Sequence, residues 1–248
     1  MSRITLTAAS RIGRVRNNNE DMVLAFNKFI RSDIYSTEFL TENTDRFAIA
    51  IADGMGGHKA GEVASSDVLS NLHFFLNDLP RDLSVEVFQK MLVDWLHSVC
   101  NIIESKGQLD PSMSDMGTTL VGVIYYCGNY YCINCGDSRL YRYRDGELKQ
   151  LTTDHSLNQM LGDNRHSNII TNCIGAGCKD SYLDITLFTD DFKSGDVYLL
   201  CSDGLNDMIN DSAIKFLLSK VPHANDLCEA AIEAGGYDNV SVCVFKVE

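Results

Sequence analysis

The chemistry of this sequence is concentrated in carboxylates that stand where apolar runs meet turns. Glu20 and Asp21 follow three asparagines and lead into the apolar run 22–26. Asp53 closes FAIAIAD and opens onto Gly54 in the turn GMGG. Asp203 closes YLLCSD before Gly204, and Asp238 sits in GGYDN just ahead of the last apolar run. Any one such residue is most often a turn former or a helix cap. Repeated at separate strand ends backed by glycine, they can converge on one rim with backbone carbonyls close by. Carboxylate, carbonyl and water oxygens are the ligands of hard divalent cations such as Mg²⁺ or Mn²⁺, so the pattern points to a metal site.

The elements that must carry these residues can be read from periodicity. Short β-like runs fall at 4–8, 22–26 and 47–52. Two stretches with a 3.6-residue apolar period follow, one running from Ala60 to Leu76 and one from Val85 to Ile103. A dense β region comes next, at 118–127, 130–135, 139–144, 182–188 and 196–201. The break CGNY and the dipeptide Asp145-Gly146 mark hairpins, so neighbouring strands there are expected to be antiparallel. Short helices at 213–218 and 225–234 precede a last strand at 240–247. Strands and helices segregated in this way predict an α+β layered domain, 1–248, without an internal repeat or linker. Residues 154–180, rich in Gly, Asn, Asp and Ser, read as a surface loop or flap.

Composition narrows the function. The 248 residues carry 21 Lys+Arg against 34 Asp+Glu, a net charge of −13. That surplus opposes nucleic-acid or membrane-surface binding, both of which need dense cationic side chains. No stretch approaches a membrane span or a signal core. Nine cysteines, an odd number set mostly in apolar runs, predict a reducing cytoplasm and no disulfide framework. Cys132 and Cys135 lie three apart in a strand-like run and should face opposite ways, which argues against zinc. No Cys is followed six positions later by Arg, and there is no G-x-S-x-G or HExxH. GMGGHKAG lacks the GK[ST] of a nucleotide loop.

Seven stretches, in order, resemble the metal-dependent Ser/Thr protein phosphatases of the PP2C type (the PPM family), especially the bacterial branch. They are RNNNED (16–21), ADGMGGHKAGEVAS (52–65), DMGTT (115–119), CGDSRLYRY (135–143), LTTDHS (151–156), LLCSDGL (199–205) and GGYDNVSV (235–242). The resemblance implies a four-layer αββα sandwich, two mostly antiparallel sheets flanked by helices, with a two-metal site at one edge. Asp53 would bridge both ions, with Glu20 and the Gly54 carbonyl on one and Asp203 and Asp238 on the other. Asp21 would hold metal-bound waters and Arg16 the phosphate, while Asp115 and Asp203 would share a weaker third ion. His58 is a candidate for protonating the leaving alkoxide, or simply a residue opening the next helix.

The implied reaction is hydrolysis of phosphoserine and phosphothreonine monoesters by direct attack of a water or hydroxide bridging two divalent ions (Mg or Mn), without a phospho-enzyme. The implied partner is a phosphorylated protein, such as a Ser/Thr kinase or its targets, and the enzyme is expected to be a cytoplasmic monomer. The competing reading is a catalytically inactive PP2C-fold scaffold, which would have lost metal carboxylates or the phosphate arginine. Asp137 and His155 read as turn-fixing residues. The segment 157–178 looks shorter than the flap of bacterial relatives, with GDNRHSN in place of a helical insert, and 27–45 reads as a compensating surface element.

Overall fold

The computed structural model describes residues 3–56, 60–162, 169–220 and 222–248. Its frame is two six-stranded sheets in which every neighbouring pair is antiparallel. The first holds β1 (Arg3–Arg11), β4 (Ile34–Leu40), β10 (Arg139–Arg144), β11 (Glu147–Gln150), β14 (Val197–Cys201) and β15 (Val240–Val247), in the order β11-β10-β14-β15-β1-β4. The second holds β2 (Met22–Ala25), β3 (Lys28–Ile30), β5 (Arg46–Ala52), β8 (Leu120–Tyr126), β9 (Asn129–Cys135) and β13 (Asp184–Leu187), in the order β13-β9-β8-β5-β2-β3. A small third sheet, β12-β7-β6, joins β6 (Gly54–Met55), β7 (Gly117–Thr118) and β12 (Ile174–Gly175).

Side-chain alternation decides the layers. Along β5, Phe47, Ile49 and Ile51 enter the core between the sheets, where each buried aliphatic side chain contributes about 1.5–3 kcal/mol. Ala48, Ala50 and Ala52 point the other way, and their small size lets α1 (Ala60–Asp78) and α2 (Val85–Leu109) pack close. The outer face of the first sheet is covered by α4 (Asp203–Asn206), α5 (Asp211–Ser219) and α6 (Ala224–Glu233). The expected αββα sandwich is the observed one. Cys132 lies in the inter-sheet core and Cys135 under the helices, on opposite faces as their spacing requires.

Both hairpins form where expected. Cys127-Gly128 and Asp145-Gly146 all have positive φ, the backbone of a two-residue turn that matches strand twist. One expectation needs correction: 27–45 is not an accessory surface element. It supplies β3 and β4, an edge strand of each sheet, and β4 pairs with β1 along its whole length. Its alternate residues are half-buried, as befits an edge. The flap contains a five-residue helix, α3 (Leu157–Leu161), and 163–168, most of the GDNRHSN stretch, lies outside the described residues. Among the described residues no helix is long and apolar enough to cross a membrane.

Candidate metal centre

At one edge of the sandwich, the ends of β1, β5, β14 and β15 bring four separate turns together. Asp53 leaves β5 with its backbone clamped: its carbonyl accepts the Thr119 amide at 2.9 Å and the Thr118 hydroxyl at 2.8 Å, and its own amide donates to Thr119 Oγ1 at 3.1 Å. Thr119 Oγ1 in turn meets Ser138 Oγ at 2.8 Å. Gly54 follows because nothing larger fits: a Cβ there would lie 2.1 Å from the Gly61 carbonyl oxygen and 2.6 Å from that of Glu20. The bare backbone thus seats α1 and the Glu20 segment against Asp53.

The other turns are locked similarly. Gly204 lets α4 approach the last turn, since a Cβ would stand 1.9 Å from the Asn239 carbonyl oxygen. Asn239 is buried and ties three segments together. Its Nδ2 donates to the carbonyls of Ile12 and Asn18 at 2.9 Å each, and its Oδ1 accepts the Glu20 amide at 2.8 Å. Arg31 does the same on the far side. Its Nε donates to the Asp21 carbonyl at 2.8 Å, and its fork reaches Ser65, Ser66 and the Glu62 carbonyl and pairs with the Glu62 carboxylate at 3.0 Å. The first turn of α1 is thereby fixed to the Asp21 loop.

Asp21, fully buried, accepts the Ser202 hydroxyl at 2.8 Å. Burial is the main cause that pushes its carboxyl up to about 6; the Ser202 and Ser241 hydroxyls pull it down and Asp238 pushes it up. Asp53 is held well above the ordinary carboxylate range by burial, then by Asp21, Asp203, Asp137 and Asp238. Asp203 rises likewise through burial, then Asp137, Asp238, Asp207 and Asp21. Asp21, Asp53, Asp203 and Asp238 therefore share one electrostatic site. Asp137, which the sequence assigned to a turn, belongs beside them, its carboxyl pushed up to about 6 chiefly by burial.

Glu20 is buried next to this cluster, its carbonyl held by Ser65 Oγ at 2.5 Å. Arg16 is exposed and donates to Asp238 Oδ2 at 2.6 Å. Asp115 is exposed, its backbone carbonyl against Gly56, and it is not among the carboxylates that press most on Asp53 or Asp203. His58 lies outside the described residues.

A group of carboxylates this close needs positive charge. The buried oxygens Asp21 Oδ1, Asp137 Oδ1 and Asp203 Oδ1 have no hydrogen-bond partner, and the donor set is all oxygen, which fits a hard divalent cation. Among the described residues, no three His, Cys, Asp or Glu side chains form a closed ligand set, and the guanidinium of Arg16 occupies Asp238. Asn239 stands inside GGYDN, where a turn asparagine gives no local sign of the three segments that it ties. Arg31 lies in a stretch without a periodic signal and offered none to find.

Comparison with known proteins identifies the family and the fold. Residues 31–233 match the family described as Protein phosphatase 2C. The chain belongs to that family. Its two-sheet sandwich is the fold of the solved PP2C phosphatases. It is 34% identical over 263 residues to the serine/threonine protein phosphatase PstP of Mycobacterium tuberculosis, covering 100% of this chain and 46% of that protein. The chain thus spans about half the length of that PP2C relative. Protein phosphatase PhpP of Streptococcus pneumoniae is 34% identical over 251 residues, covering 95% of this chain and 94% of its own. The solved catalytic domain of PstP, in complex with two manganese ions, superposes with a TM-score of 0.77 at 32% identity, covering 100% and 99% of the two chains.

Proposed function

We propose that this protein hydrolyses phosphoserine and phosphothreonine on protein substrates with the help of bound divalent cations. The observation that carries the reading is the convergence of Asp21, Asp53, Asp203 and Asp238 on one rim, with buried carboxylate oxygens left without partners. Glu20, Asp53, the Gly54 carbonyl, Asp203 and Asp238 would hold two cations, Mg²⁺ or Mn²⁺. When bound, such cations acidify water and neutralise phosphoryl charge. For a third ion, Asp137 is better placed beside Asp203 than the exposed Asp115.

The chain's own groups then have distinct tasks. Arg16 presents a planar, permanently charged fork to two phosphoryl oxygens, and engaging them requires it to leave Asp238. Asp21 offers Oδ1, which has no partner, to a water hydrogen, while Ser202 fixes Oδ2. The clamp of Thr118 and Thr119 on Asp53, and the seating of Gly54, keep the carboxylates in place so that little reorganisation accompanies reaction. An inactive scaffold is disfavoured because Arg16, Glu20, Asp53, Asp203 and Asp238 are all present. Nine free cysteines suit a reducing cytoplasm.

The deciding experiment measures phosphate release from a phosphothreonine peptide and an aryl phosphate, after chelation and again after adding Mn²⁺ or Mg²⁺. Release that depends on the added cation is expected. A folded protein that binds Mn²⁺ by calorimetry yet turns over neither substrate would overturn the reading in favour of the scaffold.

A further inference from the structure

Four of the nine cysteines gather behind the metal centre. Cys100 on α2, Cys135 at the end of β9, and Cys173 and Cys178 on either side of β12 all lie within electrostatic reach of one another. The Cys173 thiol donates to the Gly175 carbonyl at 3.6 Å, and the same oxygen accepts the Cys178 amide at 2.9 Å, so the two residues meet at one carbonyl. Among the described residues these thiols do not form a group able to hold a metal, so a zinc site is not the explanation.

The loop between the pair is built to keep them together. Three successive residues, Gly175, Ala176 and Gly177, have φ of 83°, 50° and 74°, a left-handed curl that costs energy at the alanine. The Cys178 amide closes the curl on the Gly175 carbonyl at 2.9 Å. Ser181 Oγ straps both ends, reaching the Cys173 carbonyl at 2.5 Å and the Cys178 carbonyl at 3.3 Å. Cys178 is half-exposed and lines a cavity of about 580 Å³ with Cys100, Glu104, Met116 and Lys179, open to a small solute; Cys173 is buried beneath.

β12 connects the pair to the reacting residues. Ile174 pairs with Thr118 and Gly175 with Gly117, and the Ala176 amide donates to the Met116 carbonyl at 2.8 Å. Thr118 and Thr119 are the residues that grip the Asp53 carbonyl. Two hydrogen-bonded steps therefore separate the thiol loop from the central carboxylate.

We propose that Cys173 and Cys178 are a peroxide-responsive thiol pair, whose closure to an intrachain disulfide strains β12 and weakens the grip on Asp53. The Cys178 thiolate attacks hydrogen peroxide, forming an S–O bond and releasing hydroxide. The Cys173 sulfur then attacks the sulfenic sulfur, forming the S–S bond and expelling the hydroxyl, which leaves as water with the thiol proton. Two thiols are oxidised and one peroxide is reduced to two waters. The Cys173 sulfur leaves the Gly175 carbonyl and the two sulfurs close to about 2.05 Å, which tightens the curl around β12.

The thiol chemistry stands independently of the phosphatase reading; its effect on hydrolysis rests on that reading. Both cysteines fall in the tryptic peptide 166–179, so one mass measurement reads the pair. After treatment of the full chain with hydrogen peroxide and alkylation, this peptide should lose two hydrogens and take up no label, and dithiothreitol should restore both thiols. Hydrolysis of an aryl phosphate with Mn²⁺ should fall about fivefold or more and recover on reduction. Cys178→Ser should keep its basal rate and become insensitive to peroxide, while Cys100→Ser should respond like the parent. A peptide that stays fully alkylated, or whose Cys178 is bridged to Cys100, overturns the pair. A disulfide that forms with no change in hydrolysis overturns its coupling to Asp53. Absence of hydrolysis before peroxide would count against the phosphatase reading alone, since the mass of 166–179 still reports the thiols.

Discussion

The side-chain oxygen of Asn239 accepts the amide of Glu20 at 2.8 Å, joining residues 219 positions apart in the chain. The same side chain donates to the carbonyls of Ile12 and Asn18, so a single buried amide sets the Glu20–Asp21 segment ahead of β2 against the turn that carries Asp238. Three hydrogen bonds depend on it, each with a net value of about 0.5–1.5 kcal/mol. Asn239→Ala should therefore lower unfolding stability by about 2–4 kcal/mol in urea. Mn²⁺ affinity should fall by more than stability alone accounts for, because Glu20 and Asp238 lose their common tie. Unchanged Mn²⁺ affinity by calorimetry would show that the two turns are positioned without it.

Arg31 carries a parallel argument. It bonds the Asp21 carbonyl, two serines and Glu62 through one guanidinium, and burial is the main influence on it, holding its pKa below the usual arginine value. Arg31→Met keeps an unbranched apolar stem but leaves the Asp21 carbonyl and the start of α1 unlinked. Turnover at saturating Mn²⁺ should drop about tenfold or more, as small misplacements of catalytic groups do. The far-UV circular dichroism should be unchanged. Arg31→Lys should rescue little, since one ammonium cannot span those acceptors.

Asp53 and Asp203 stood out because each ends an apolar run at a glycine, and Asp238 because it lies in a glycine and asparagine turn just ahead of one, local signals that sequence displays directly. The layered α+β character was legible because α1 and α2 keep a helical period and stand apart from the β-like runs, whereas the four-layer order was implied only by the family resemblance. The edge strands β3 and β4 were not legible. Their residues are half-exposed and mixed in type, and they become strands because β1 and β2 offer them unpaired backbone. Asp137 was missed because GDS reads as a turn whether or not its carboxylate faces others. Only the third dimension puts it beside Asp203.

Asp203 opens α4 at the rim, with Oδ1 buried and unpartnered while Asp137 and Asp238 press on it. Asp203→Asn removes one of the repelling charges without changing shape. The metal-free variant should be as stable as the parent or more so, while turnover with Mn²⁺ falls by about two orders of magnitude or more, the scale expected when one group stabilising developing charge is lost. Chelator titrations followed by denaturation would separate the two effects. A variant that is destabilised without metal and still turns over would refute the assignment of Asp203 to a cation.

Far from this rim, Asp196 gives a pH test of the scaffold. It is 1% exposed, yet burial, which alone would raise its pKa, is outweighed by Arg144 on both oxygens at 2.6 and 2.7 Å, the Lys193 amide and Tyr198, and its pKa is lowered. A carboxylate whose folded pKa is depressed contributes stability that is fully present above its unfolded value near 3.9, and that is lost as pH falls through the folded value. Between pH 8 and 5 the parent should therefore show no loss from this pair. Arg144→Met leaves the carboxylate buried with its amide and hydroxyl donors only, at a cost of about 3–5 kcal/mol at pH 8. Burial then pushes the Asp196 pKa upward, and the variant regains stability by taking a proton as the pH drops. The gap between parent and variant should consequently narrow from pH 8 to pH 5, measured by urea denaturation at each pH. A gap that stays constant would mean that Asp196 keeps its charge through Lys193 and Tyr198 alone.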